Sequence, residues 1–302
     1  MTRPMKMRHS MPTIYEGIVW RPPSESGSLI LQATLGCSWN KCTFCAAYLE
    51  KDFRIKTLKA VEADIRAVLP YARDARRIFL ADGNALCIPT GDLLKILKQL
   101  DDHFPNLERV GIYGGPNDIA EKSVDELRAL KEAGLGIVYL GLESGSEKVL
   151  KMVCKGAGPR KMIEAGRKVR DAGLALSAII IQGLGGRALS DEHARETAKV
   201  LNQMDPEYVG ALTLMVCEGT QMEKDVAQGK VELLSPKDHL KELRLLVEGL
   251  ELTNCIFRAN HPSNYVTFRM ALPKGKKSLL AEIDRALDLD EDGVRPEWAR
   301  AL

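Results

Sequence analysis

Nowhere in the 302 residues does an apolar run approach the roughly 18 residues a membrane-spanning helix needs. A charge excess of either sign is also missing: 43 Lys and Arg face 41 Asp and Glu, for a net charge of +2. That balance excludes a dedicated nucleic-acid or membrane-surface binder, which would carry a basic surplus. Seven cysteines, an odd number without regular spacing, exclude a disulfide framework. Histidine is scarce at five residues, and none lies between His9 and His103. The opening "MTRPMKMRHSMP" is basic but has no apolar segment behind it, so no secretory signal is expected and the cytoplasm is the expected location. What is present is core: 45% of residues are apolar, enough for one large or two ordinary domains.

From residue 28 a rhythm sets in of a short apolar run, a polar or glycine-rich loop, and an amphipathic helix. The runs are "SLILQATL" (28–35), "RRIFLA" (76–81), "RVGIYG" (109–114), "GIVYLGL" (136–142), "LSAIIIQ" (176–182) and "YVGALTLMV" (208–216). Continuous apolar strands alternating with helices imply a parallel sheet covered by helices. Six units in series, without a long antiparallel insertion, predict an α/β fold of the (β/α)6 type, a partial TIM barrel. Residues 28–220 are expected to form this core. Residues 1–27, with "WRPPSESGS", read as an extended segment wrapping the outside of the sheet. Residues 221–302 read as a C-terminal extension closing the barrel, with a seventh strand in "NCIFRA" (254–259).

The loop after the first strand, "LGCSWNKCTFCAAY", carries Cys37, Cys42 and Cys45 in the spacing C-x4-C-x2-C. In a barrel this loop lies at the strands' C-terminal ends, where reactive groups gather. Three thiolates so close can share one metal centre without long-range closure entropy. A closed zinc site needs four ligands, and no fourth is near, so an open coordination position is expected.

This strand-then-cysteine loop resembles the radical S-adenosylmethionine (radical SAM) enzymes, whose usual motif is C-x3-C-x-aromatic-C. Phe44 stands at the aromatic position, and the spacing departs by one residue between Cys37 and Cys42. The pattern is most similar to the branch holding the oxygen-independent coproporphyrinogen oxidase-like and Elongator-catalytic-subunit-like barrels. The resemblance implies a 4Fe-4S cluster on Cys37, Cys42 and Cys45 with one iron left for S-adenosyl-L-methionine. It also implies an electron donor such as a flavodoxin or ferredoxin and an oxygen-sensitive enzyme. "ADGNA" after the second strand would then offer Asp82 and Gly83 to the cosubstrate's amino group. "GLESGS" after the fourth strand would supply Glu143 and Ser144 for the ribose or the ammonium, with Ser146 doubling as a helix N-cap. Gln182 and Gly183 after the fifth strand, Leu214 and Met215 after the sixth, and Phe44 would enclose the adenine. The implied reaction is reductive cleavage to a 5′-deoxyadenosyl radical that takes hydrogen from an unidentified substrate. The alternative is a methyl- or sulfur-group transferase, with no cobalamin-binding domain expected before the barrel and no RNA-binding module after it.

Three groups of residues stay open as candidates on this reading. Cys154, in "VCKGAGPRK", is placed as a thiol near the reacting centre. His261 and Tyr265, in the donor-rich "FRANHPSNY" with Arg258, Asn260 and Asn264, are placed as substrate-side catalytic residues. Cys87, Cys154 and Cys217 are weighed as ligands of a second cluster. Competing readings are a zinc protein, buried structural cysteines, a simple electron carrier, and an NAD-binding oxidoreductase. The last rests on "GLGGRA" (183–188), which fits G-x-G-x-x-A but follows the fifth strand instead of the first.

Overall fold

The computed structural model describes residues 14–290 and 293–301. Its chain order begins β1 (Leu29–Gln32), β2 (Thr34–Leu35), β3 (Arg54–Ile55), α1 (Leu58–Ala72), β4 (Arg77–Ala81), α2 (Thr90–His103) and β5 (Arg109–Gly114). Next come α3 (Pro116–Glu121), α4 (Val124–Glu132), β6 (Leu135–Glu143), α5 (Glu147–Met152), α6 (Pro159–Asp171) and β7 (Ala175–Gln182). The chain continues through α7 (Gly186–Met204), β8 (Tyr208–Thr213), α8 (Gln221–Ala227) and α9 (Pro236–Gly249). It ends with β9 (Cys255–Ala259), β10 (Phe268–Leu272) and α10 (Lys276–Leu287). Side-chain caps mark many helix starts: Thr57, Ser123, Ser146, Thr220 and Ser235 each accept a backbone N–H of their helix's first turn.

Eight strands form one sheet in the order β1-β4-β5-β6-β7-β8-β9-β10. Every pair from β1 to β9 is parallel, and only β10 runs antiparallel, against β9. Because each new strand is added beside the last, all the parallel strands end at the same edge, and the loops after them meet there. This is the part-barrel α/β architecture expected, with the antiparallel β10 added at its edge. β1, β4, β5, β6, β7 and β8 fall where the six apolar runs are, and β9 where the seventh strand was expected.

The two sheet faces differ by the period-2 alternation of strand side chains. One set, including Ile78, Leu80, Val110, Ile112, Val138, Leu140, Val209 and Phe257, packs against the helices in the main core. The other, including Phe79, Ala81, Ile137, Tyr139, Tyr113 and Tyr208, forms a separate cluster with Tyr15 and Val19. Here the structure corrects the sequence reading: described residues 14–27 lie on this inner face, not around the outside. Glu25 accounts for it. It is fully buried and receives hydrogen bonds from Arg109 (2.8 Å), Tyr139 (2.5 Å) and Ser28. Tyr15 also donates to the Ile30 carbonyl at 3.1 Å. Residues 1–13 lie outside the described residues. The stretch from residue 221 adds α8 and α9 and then continues the same sheet through β9.

Candidate active site

A cavity of about 430 Å³ opens at the C-terminal edge of the parallel strands. Cys37, Cys42 and Cys45 line it, together with Phe44, Gly83, Asn84, Asp118, Glu143, Lys155, Leu214, Met215 and Cys217. Deeper on the inner sheet face its wall is Tyr113, Tyr139, Ser177, Ile179, Tyr208 and Arg258, closed on one side by Trp20–Ser24.

The cysteine loop is fastened from below. β2 and β3 pair across it, and Thr43 donates its N–H to the Val153 carbonyl at 3.1 Å. Asn84 accepts from the Ser38 N–H at 2.9 Å and donates to Asp118 at 2.8 Å, tying the loop to the next strand end. Gly83 leaves no room for a side chain: a Cβ there would stand 2.7 Å from the Cys37 Cβ and 2.8 Å from the Gly36 oxygen. Asp82 is fully buried beneath the loop. Its Oδ2 accepts from Lys51 (2.7 Å), Gln32 (3.2 Å) and the Gly36 N–H (3.3 Å), while Oδ1 has no partner among the described residues.

Across the cavity β6 ends at Glu143, in the left-handed region at φ 62°. Its Oε1 accepts from Lys155 at 2.9 Å, and its buried Oε2 has no partner among the described residues. Burial opposes the Lys155 charge, but the Glu143 carboxylate, followed by Cys42, raises its pKa above the ordinary lysine value. Burial pushes the Cys42 thiol up to about 12, with Lys155 pulling the other way. Ser144 points away from the cavity, bonded to His193 Nδ1 at 2.8 Å, and Ser146 caps α5.

Phe44 packs with Val149, Val153, Leu184, Leu214 and Met222 in one apolar cluster. Phe44, Leu214 and Met215 thus meet at one cavity wall. Gln182 and Gly183 sit behind it. The Gln182 carbonyl accepts the Leu214 N–H at 2.9 Å, and Gly183, at φ 76°, lies against His239. The Gly183 N–H donates to the buried Glu242 carboxylate at 2.6 Å, so this turn presents negative charge where a dinucleotide fingerprint needs a phosphate. The NAD reading is set aside on that ground.

His261 reaches the cavity. The Ser263 N–H donates to its Nδ1 at 3.1 Å, which leaves Nε2 to carry the proton of the neutral ring, and burial, then Arg295, lower its pKa. Tyr265 stands outside the cavity lining. Its hydroxyl donates to Glu297 at 2.8 Å, and the Arg300 guanidinium lies 4.3 Å over its ring. Cys154 is exposed and also off the lining, its carbonyl accepting from the Trp39 indole N–H at 2.8 Å. Of the three cysteines weighed for a second cluster, only Cys217 lines the cavity. Sequence reasoning missed Lys155, whose partner Glu143 ends β6 twelve residues earlier, and Lys51, whose partner Asp82 lies 31 residues on. It also missed the inward tyrosines Tyr113, Tyr139 and Tyr208, which the strands' alternation would have pointed out.

The donors suit an iron–sulfur cube. All three cysteines of the loop are free and face one cavity. A cube takes each of its three sulfur ligands on a different iron, and three cysteines of one loop lining one cavity can supply them. The unpartnered Asp82 and Glu143 oxygens leave acceptors for the cationic, hydroxyl-bearing cosubstrate beside it.

Similar proteins point the same way. Residues 31–201, more than half of the chain, match the radical SAM superfamily. A provisionally named methylthiotransferase of Methanocaldococcus jannaschii is 28% identical over 186 residues, 58% of this chain and 39% of that protein. An uncharacterized methyltransferase of Pyrococcus horikoshii is 28% identical over 200 residues, covering 64% and 40%. The chain thus spans about two fifths of the length of these curated relatives. Among solved structures, coproporphyrinogen III oxidase from Escherichia coli superposes with a TM-score of 0.57 at 18% identity, over 73% of this chain and 51% of that one. Methylornithine synthase gives 0.53 at 17%, over 74% and 63%. Among the described residues no helix is long and apolar enough to cross a membrane. By sequence match and by fold, this chain is an enzyme of the radical SAM superfamily, which works with a 4Fe-4S cluster and S-adenosylmethionine.

Proposed function

We propose that Cys37, Cys42 and Cys45 hold the cluster and that Asp82, Gly83, Glu143 and Lys155 hold S-adenosylmethionine beside it. The observation that carries this is the convergence of three free cysteines and the unsatisfied buried Glu143 carboxylate on one cavity, with the unsatisfied Asp82 carboxylate beneath the cysteine loop beside the cavity-lining Gly83. The cluster held by Cys37, Cys42 and Cys45 would supply one-electron reduction of the cosubstrate, the chemistry by which a radical could be raised beside the substrate. The chain's own part is to bind, orient and shield. Asp82 Oδ1 and Glu143 Oε2 accept hydrogen bonds from the cosubstrate's ammonium and ribose hydroxyls. Lys155 neutralises the Glu143 carboxylate and offers its remaining N–H groups to a carboxylate. Phe44, Leu214 and Met215 cover the adenine, and the tyrosines of the inner sheet face keep the reacting centre dry. A flavodoxin- or ferredoxin-like donor supplies the electron, and the bound cluster is sensitive to oxygen.

The names of the two archaeal relatives favour a second reading, transfer of a methyl or methylthio group from the same cavity. One anaerobic experiment tests both. The protein is reconstituted with iron and sulfide, reduced and given S-adenosylmethionine, and both 5′-deoxyadenosine and S-adenosylhomocysteine are measured. Deoxyadenosine that disappears in Cys42→Ala supports the radical reading. S-adenosylhomocysteine without deoxyadenosine supports methyl transfer. Protein that takes up zinc and no iron overturns both.

A further inference from the structure

The inner sheet face carries a positive charge that no carboxylate among the described residues pairs. Arg258, on β9, lines the cavity, yet none of the ion pairs or side-chain hydrogen bonds among the described residues involves it. Its one contact with an aromatic ring is with Tyr208, 5.2 Å from the guanidinium carbon. In the β9–β10 ladder it stands directly opposite Arg269, which is likewise without an ion pair among the described residues. Two like charges opposite each other on one sheet face repel. Of the other cations at the site, Lys155 is held by Glu143 and Lys51 by Asp82, while Arg21 also lines the cavity without an ion pair among the described residues but is exposed to solvent; of the carboxylates, Asp118 is occupied by Asn84 and the Gly115 N–H. There is also room: Gly210 of β8 is level with Arg258, and a Cβ on it would meet nothing within 4 Å.

We propose that Arg258 anchors an oxyanion of the substrate, a carboxylate or a phosphate. The guanidinium fork matches either group with two parallel hydrogen bonds. β9 lies six strands along the sheet from β1, whose loop carries the cysteines, so the anchored molecule extends across the cavity toward the reacting centre. Tyr113, Tyr139 and Tyr208 then line its path. The inference rests on the cavity being the radical enzyme's substrate site.

The test is calorimetric binding of benzoate, phenyl phosphate and the neutral benzamide to the reconstituted protein saturated with S-adenosylmethionine. One of the anions is expected to bind about ten- to a hundredfold more tightly than benzamide, the span of a charge-assisted hydrogen bond. Which anion wins distinguishes carboxylate from phosphate. The preference is expected to vanish in Arg258→Gln and to survive in part in Arg258→Lys. Gly210→Val, by filling the space beside the guanidinium, is expected to weaken all three probes. Equal binding of the three, or a preference that survives Arg258→Gln, overturns the proposal. So does a preference seen only before S-adenosylmethionine is added, because the anion site would then be the cosubstrate's own. If Arg258→Gln does not fold, the wild-type comparison and Arg258→Lys still decide. Deoxyadenosine formation by the wild type is measured in parallel. Cleavage without anion preference removes this inference alone; anion preference without cleavage leaves Arg258 as an anion site but removes the functional reading and, with it, the assignment of that anion to the radical enzyme's substrate.

Discussion

Breaking the Glu143–Lys155 pair is the sharpest perturbation this cavity allows. The two groups stand 2.9 Å apart, with side chains only 10% and 13% exposed. At that separation, with an effective dielectric constant near 20, their attraction is about 6 kcal/mol before desolvation is subtracted. Removing one partner strands the other's charge in the cavity wall, at a cost of about 3–5 kcal/mol. Lys155→Met leaves the carboxylate with no counter-charge. Glu143→Gln leaves the buried ammonium in the same position. The double variant removes both charges, so its loss is expected to fall at least about 2 kcal/mol short of the summed single losses. The assay is thermal unfolding of all four proteins at pH 7 under argon. At about 2–4 °C per kcal/mol for a chain of this order of size, each single variant should melt at least about 6 °C lower. Single variants within about 0.5 kcal/mol of wild type, or strictly additive losses, would refute the claim that the pair is buried and coupled.

Other expectations follow from the same geometry. Gly83→Ala forces a methyl against Cys37 and the Gly36 carbonyl, so it should cost about 1–3 kcal/mol and lower the iron bound per chain after reconstitution. A full iron complement would show that the loop yields freely. Burial, then Arg300, lowers the His239 pKa from its ordinary 6.5 to about 4. The unfolded chain therefore binds more protons between those values. Stability is complete above pH 6.5 and falls as pH drops toward 4, by about 2 kcal/mol at pH 5. His239→Gln should flatten that part of a melting-temperature profile. Glu25→Leu leaves Arg109 and Tyr139 without their acceptor and should open the bond after the half-buried Trp20 to chymotrypsin; unchanged digestion would mean the segment is held by its apolar contacts alone.

The strands were readable because a parallel strand covered by helices is apolar along its whole length, as in "RIFLA" and "ALSAIII". β10 was not, since "FRMAL" is a half-exposed hairpin strand bearing Arg269 on the open face. Residues 14–27 were misplaced because their anchor is one carboxylate, Glu25, whose partners come from β5 and β6. Short-range patterns carry no information about such a contact. The cysteine loop announced itself by spacing alone. Lys155 did not, because its meaning depends on a carboxylate that the chain brings to it across the turn after β6. Gly183 shows the converse: its motif invited a phosphate, and only the Glu242 carboxylate on its N–H reveals a different use.

Glu25 also sets an order in time. The segment that carries it leaves the ribosome before its partners do, since Arg109 lies 84 residues later and Tyr139 114 residues later. At about 5–20 residues per second, it waits on the order of 6–20 s before its seat exists. Closing the cavity floor is therefore a late event in the life of the nascent chain, one that follows the pairing of β4, β5 and β6. Until then the inner face of the sheet lacks the cover that Trp20–Ser24 give it in the finished cavity.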